Sequence, residues 1–246
     1  MLQITHLPRV FMLAIALVSL PAFAATPTNS APLNSASPGS AIINNSDPQQ
    51  MLKDATDEIL KIALATKKQT PPNSEAYYQQ VDAVLSQVID LDYFARGVMA
   101  TYANAQRYKA LKSEAEKVAF RARIDKFGAT LKHSLIRTYA DALLKFDGER
   151  IEWEPAPAQE KNAEHRTLTQ IVHAASNKQY KVQYRLAKKK SGEWLIQNLT
   201  VEGLNMGETY RNQFADAVEK NKGNVDYVVD HWAELMKPVN ATEKKP

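Results

Sequence analysis

Tyr180-Lys-Val-Gln-Tyr-Arg-Leu-Ala187, Lys188-Lys-Lys-Ser-Gly-Glu193 and Trp194-Leu-Ile-Gln-Asn-Leu-Thr-Val201 follow one another in the stretch that decides the fold. In the first run Tyr180, Val182, Tyr184 and Leu186 share one face, while Lys181, Gln183 and Arg185 share the other. Apolar residues at every second position mark a half-buried strand. The polar hexapeptide behind it contains Gly192, which is free to adopt a positive φ, so the chain can turn back into an antiparallel partner. Strict alternation puts Leu195, Leu199 and Val201 on one face of that partner, and Trp194, Ile196 and Thr200 on the other. Both faces would then be apolar and both would need cover. What covers this sheet, and how completely, is the functional question.

Moving outward, residues 151–154 and 166–175 read as two short strands separated by a Pro/Ala/Glu/Asn-rich loop. Ahead of them lies the longest periodic segment of the chain: Phe120, Ile124, Phe127, Leu131, Leu135, Tyr139, Leu143 and Phe146. Steps of three and four keep these side chains on one helical stripe. Ser113 and Glu116 form a capping box at its start, and Asp147-Gly148 is the expected stop. Asp47-Pro48 opens an earlier helix with Met51, Leu52, Ala55, Ile59, Ile62 and Ala63 on one face. Pro71-Pro72 breaks the chain, Ser74 is the expected cap of a second helix, and residues 89–102 suggest a third around Phe94, Val98 and Met99. After the hairpin, residues 206–222 and 224–236 read as two closing helices, the second capped by Asn224. The expected fold is therefore α+β: a four-stranded, mostly antiparallel sheet with helices gathered on one side.

The N-terminus predicts export. Arg9 precedes an apolar run over residues 11–20, and Pro21-Ala22-Phe23-Ala24 supplies an A-x-A cleavage pattern. The run is too short for a spanning helix. Residues 1–24 are thus expected to be a signal peptide and 25–46 an uncharged, disordered linker. Residues 47–237 form a single α+β domain in this reading, and 238–246 a disordered tail. There is no cysteine, so no disulfide and no lipid-anchoring thiol supports the fold. Loss of Arg9 with the signal leaves the +4 chain at +3.

Catalytic and metal motifs are missing. The sequence has no G-x-S-x-G elbow, H-E-x-x-H, P-loop or dinucleotide fingerprint. His133, His165, His173 and His231 have no ligand-type partner at metal spacing, so no metal and no catalytic residue is assigned. The pI near 9.0 comes from scattered basic residues, with one sharp cluster at Lys188-Lys189-Lys190. Nucleic acid is not an expected partner. The lysines read as a solvated turn or as a contact for an anionic surface.

An ordered set of residues resembles the MlaC family of periplasmic phospholipid carriers, the toluene-tolerance type. The set is Phe94-Ala-Arg-Gly97-Val98, Phe120, Phe127, Leu135-x3-Tyr139-x3-Leu143-x2-Phe146-x-Gly148, Gly192-x-Trp194-x-Ile196-x-Asn198-x2-Val201-Glu202-Gly203-x-Asn205, Tyr210-Arg211-x2-Phe214 and Gly223-Asn224-Val225-Asp226. It covers residues 51–232. Gln197 stands where the family often has Tyr, Asn198 where Asp is usual, and Asn205 where Ser is usual.

The resemblance implies a non-enzymatic carrier with phospholipid as cargo and no other cofactor. Its implied partners are an outer-membrane lipoprotein–porin complex and an inner-membrane ABC transporter assembly. It would maintain outer-membrane asymmetry without stable membrane insertion, and a monomer suffices. Acyl chains would lie in an apolar cavity between sheet and helices. Chemistry permits this: five strand residues at about 3.3 Å each span the roughly 15 Å of one hydrocarbon leaflet. Each methylene kept from water is worth about 0.8 kcal/mol, so a tail moves easily only between apolar hosts.

The expected lining is Phe94, Val98, Tyr102, Leu131, Leu135, Tyr139 and Leu143 from helices. From the sheet it includes Val172, Val182, Tyr184, Ile196, Leu199, Val201 and Leu204, although strict alternation forbids all of these from facing one way. Lys188–Lys190 and Arg137 are weaker candidates for headgroup or membrane-side contact. The competing readings are a periplasmic protein–protein adaptor with a filled core, and an enzyme acting on a small apolar substrate.

Overall fold

The computed structural model describes residues 42–70, 72–144, 150–155, 163–174 and 178–238, with the side chains of 141–143 excluded. The expected signal peptide, most of the linker and tail, the Asp147-Gly148 stop, Phe146 and the Leu143 side chain lie outside the described residues. Ile43 and Asn45, assigned above to the linker, contact the domain. Ile43 is buried, its N–H donates to Gln87 Oε1, and the Asn45 carbonyl accepts from Trp194 N–H.

Helix α1 spans Pro48–Lys67, with Asp47 accepting from the Gln50 N–H, as Asp-Pro at a helix start implies. Helix α2 spans Ser74–Val88. Its cap is Asn73 rather than the expected Ser74: the Asn73 carboxamide accepts from Ala76 N–H, and Ser74 is already helical. Helix α3, Leu91–Met99, starts from Asp90, and one 3-10 turn, Ala100–Tyr102, follows. Helix α4, Ala105–Ala110, capped by Asn104, is an addition to the sequence reading. Helix α5 runs Glu114–Leu144. Its capping box is reciprocal: Glu116 N–H donates to Ser113 Oγ, and Ser113 N–H to Glu116 Oε2.

The sheet has order β1-β2-β3-β4-β5, every pair antiparallel. Its strands are Arg150–Trp153, His165–His173, Gln179–Lys188, Trp194–Val201 and Leu204–Asn205. The fifth strand, absent from the four-stranded expectation, exists because Glu202 and Gly203 both take positive φ, 51° and 81°. Two such residues make a tight hairpin that folds Leu204 back onto Val201.

A bulge resolves the face conflict in β4. Arg185 pairs with Asn198 but Leu186 pairs with Ile196, so Gln197 is an extra residue with no partner opposite. The insertion inverts the phase of everything before it. Ile196 and Trp194 therefore join Leu199 and Val201 on the face of Val182, Tyr184 and Leu186, instead of pointing away from them. Asp90 secures the bulge. Its N–H donates to the Ile196 carbonyl at 2.9 Å, and its carboxylate caps α3 and meets Lys189 at 2.7 Å. One of the three hairpin lysines thus serves the fold.

Helices α6, Met206–Lys220, α7, Val225–Asp230, and α8, Trp232–Leu235, close the molecule. The expected single helix over residues 224–236 is two short ones. His231 leaves helical geometry at φ −108° and ψ 16°, which sets Val228, Val229 and Trp232 into one core.

Candidate functional site

The interior is two cores, not one. The first packs the inner sheet face, with Val172, Val182, Tyr184 and Leu186, against α1, α2 and the later part of α5. The second gathers α3, the earlier part of α5, and α6 to α8 around Phe127, Phe214 and Trp232. Those three rings lie 4.8–5.6 Å apart between centroids, the spacing of productive aromatic pairs. Helix α5 supplies both: Phe120, Ile124, Phe127 and Leu131 of the stripe enter the second core, while Tyr139 of the stripe, with Ile136 and Ala140 beside it, enters the first. Leu135 and Leu199 touch both.

At this seam protein packing is incomplete. A cavity of about 110 Å³ lies between the cores, walled by Leu85, Ile89, Leu91, Phe94, Leu135, Ile136, Tyr139, Tyr184, Ile196, Leu199, Met206 and Tyr210, with Lys132, Gln197 and Asn198 at its margin. Its wall is almost wholly apolar. The exceptions are neutralised locally: Tyr184 Oη donates to Gln170 Oε1 at 2.9 Å, and Lys132 Nζ is held by Asp82 and Ser86. Across the seam the Tyr139 and Tyr210 hydroxyls meet at 2.8 Å. Burial raises the Tyr184 and Tyr210 hydroxyls well above the usual tyrosine pKa, with the neighbouring Tyr139 adding to the effect at Tyr210. The wall is uncharged at neutral pH wherever it is made of these rings.

Of the residues expected on sequence grounds, Phe94, Leu135, Tyr139, Tyr184, Ile196 and Leu199 stand on this wall. Val98 and Leu131 are buried in the second core, and Tyr102 packs its ring on Phe214 there. Val172, Val182 and Val201 are fully buried in the first core, and Leu204 packs on the second. Arg137 lies away from the cavity, paired with Glu75. Sequence reasoning passed over Leu85, Ile89, Leu91, Ile136 and Met206 as lining, and it placed Tyr210 without giving it this role. Met206 and Tyr210 are one helical turn apart on α6, which is a signal the sequence does carry.

Among the described residues no group of three or more His, Cys, Asp or Glu side chains is arranged to hold a metal ion. No described helix is long and apolar enough to cross a membrane.

Known proteins resemble this chain in sequence and in fold. The chain is 29% identical over 200 residues to toluene tolerance protein ttg2D of Pseudomonas putida, a match covering 81% of this chain and 86% of that protein. Its fold is similar, with TM-score 0.60 and 23% identity, to a phospholipid-binding protein from Ralstonia solanacearum solved in complex with a phospholipid. That likeness covers 78% of this chain and 99% of the other. The family model described as MlaC protein matches residues 53–234, from early in α1 to the last helix, and the chain therefore belongs to the MlaC family.

Proposed function

We propose that the protein is a periplasmic phospholipid carrier. It holds acyl chain in the seam between its two cores and shuttles the lipid between an outer-membrane lipoprotein–porin complex and an inner-membrane ABC transporter assembly, which maintains outer-membrane asymmetry. The observation that carries this reading is the unfilled apolar cavity, because protein interiors normally close to crystal-like density. Side chains from α2, α3, α5, α6 and β4 meet there and leave room between them. A tail entering that space gains contacts that the protein itself does not supply, and each methylene shielded from water contributes about 0.8 kcal/mol. The structural relative from Ralstonia solanacearum was solved with a phospholipid, which supports the same cargo class here. A filled-core adaptor fits the hollow seam poorly. An enzyme would need a nucleophile or a base near neutrality, and the wall offers tyrosines whose ionisation burial opposes.

Native mass spectrometry of the mature chain, purified without added lipid, tests the proposal. Co-purified mass corresponding to phospholipid is the expected result. Protein that emerges empty, and stays empty when offered phospholipid vesicles, refutes it.

A further inference from the structure

A second hollow, about 210 Å³, opens beside the apolar cavity and shares Phe94, Gln197 and Asn198 with it. Its character is the opposite. Arg185 from β3 and Arg211 from α6 line it, with Asn198, Gly207 and Glu208 among their neighbours. Arg185 has no carboxylate within ion-pair distance among the described residues, and Arg211 reaches only Glu208, at 3.8 Å, with both side chains about half exposed. Two guanidinium groups thus face one carboxylate. The hollow also lies at the start of α6, whose aligned amides add positive potential. There Gly207 brings its backbone close: its N–H donates to Asn198 Oδ1 at 3.1 Å, and a Cβ on Gly207 would come within 2.9 Å of that oxygen.

Gln197 supplies an independent sign of a ligand. It is 9% exposed, and its Nε2 donates to Asp90 Oδ2, which fixes the orientation of the amide. The other end, Oε1, is buried at the junction of the two hollows with no hydrogen-bond partner. An unpaired buried acceptor is costly, and the bulge that creates it is a feature of the strand edge at which the two hollows meet. A hydroxyl or ammonium donor brought in by a ligand would satisfy it.

Resting on the carrier reading, we propose that this polar hollow is a phosphate subsite. It takes the phosphodiester of the lipid whose tail fills the adjoining cavity, between Arg185 and Arg211, with the polar end of that lipid donating to Gln197 Oε1. Arginine suits the task because its planar fork grips phosphate oxygens through paired charge-assisted bonds. The shared chemistry, a phosphate oxyanion, could also come from free phosphate, so the test separates the two sources.

Delipidated full-length mature protein is titrated with a phospholipid and with the diacylglycerol carrying the same acyl chains, in the wild type and in the R185Q/R211Q double variant. Wild type is expected to prefer the phospholipid. In the double variant phospholipid affinity should fall about 10- to 100-fold, the range for charged hydrogen bonds, with diacylglycerol affinity unchanged. Both arginines are exposed, and a melting curve checks the fold. Should the double variant fail that check, R185Q and R211Q are read singly, each expected to weaken phospholipid several-fold. A variant that keeps the wild-type preference overturns the subsite while leaving the carrier intact. So does arginine-dependent binding of millimolar inorganic phosphate without any effect on the lipid preference. Wild type that binds neither lipid refutes the carrier reading, and the subsite falls with it.

Discussion

Tyr139 and Tyr210 come from α5 and α6, and their hydroxyls form a buried bond where the two cores face each other. Tyr139→Phe deletes one oxygen and almost no volume, so no cavity term enters. It leaves the Tyr210 hydroxyl, 1% exposed, without the partner it has across the seam. Stranding a buried polar group costs about 1–3 kcal/mol. A central loss of about 2 kcal/mol, with a urea dependence of about 2 kcal/mol/M, lowers the unfolding midpoint by about 1 M. At about 2–4 °C per kcal/mol for a domain of this size, Tm should drop by about 4–8 °C. The double variant Tyr139→Phe/Tyr210→Phe removes both oxygens together. It should cost clearly less than the sum of the two single variants, because no hydroxyl is then left desolvated. Urea unfolding of delipidated protein, followed by circular dichroism across the four-member cycle, reads the coupling directly. Costs that simply add would refute the reasoning, since they would mean that the two hydroxyls act independently and the bond does not tie the cores.

Leu135→Trp puts a larger side chain into free space. Stability should stay within about 1 kcal/mol of wild type, whereas the same change in a filled core costs about 1–3 kcal/mol; phospholipid occupancy by native mass spectrometry should fall at least tenfold. Alkaline stability follows from the raised Tyr184 and Tyr210 hydroxyls. Their folded pKa lies above the unfolded value near 10, so the unfolded chain loses those protons first. The contribution is therefore complete below about pH 10 and is lost as pH climbs towards the folded values, at about 1.4 kcal/mol per pH unit for each group. Urea midpoints at pH 9 and pH 11 should fall accordingly, and Tyr184→Phe/Tyr210→Phe should flatten the slope.

The elements that a short repeat describes were legible. Strand β3 keeps strict alternation, and its inward set Val182, Tyr184 and Leu186 is buried as that pattern demands. The α5 stripe was equally plain, and Phe120, Ile124, Phe127, Leu131 and Tyr139 are buried. Periodicity gives a face, however, and not the identity of what faces it. Nothing in the stripe announces that it feeds one core up to Leu131 and another from Tyr139, with Leu135 at the gap. Nor does alternation foresee Gln197, because a bulge is fixed by long-range contacts such as Asp90 N–H to the Ile196 carbonyl. This is why Ile196 could be nominated for the cavity while its direction along β4 stayed in conflict with Leu199. Small polar caps were the other blind spot: Asn73 next to Ser74 and Asn104 before α4 differ from ordinary loop residues only once the N–H groups beyond them are placed.

The irregularity at Gln197 gives β4 one residue more than its inward face requires. Excising that single residue would leave Trp194, Ile196, Leu199 and Val201 at strict two-residue spacing, so a regular strand would present the same four side chains to the core. What the bulge adds is Gln197 itself, so a chain shortened by that residue should keep its packed sheet face and lose the buried carboxamide between the two hollows.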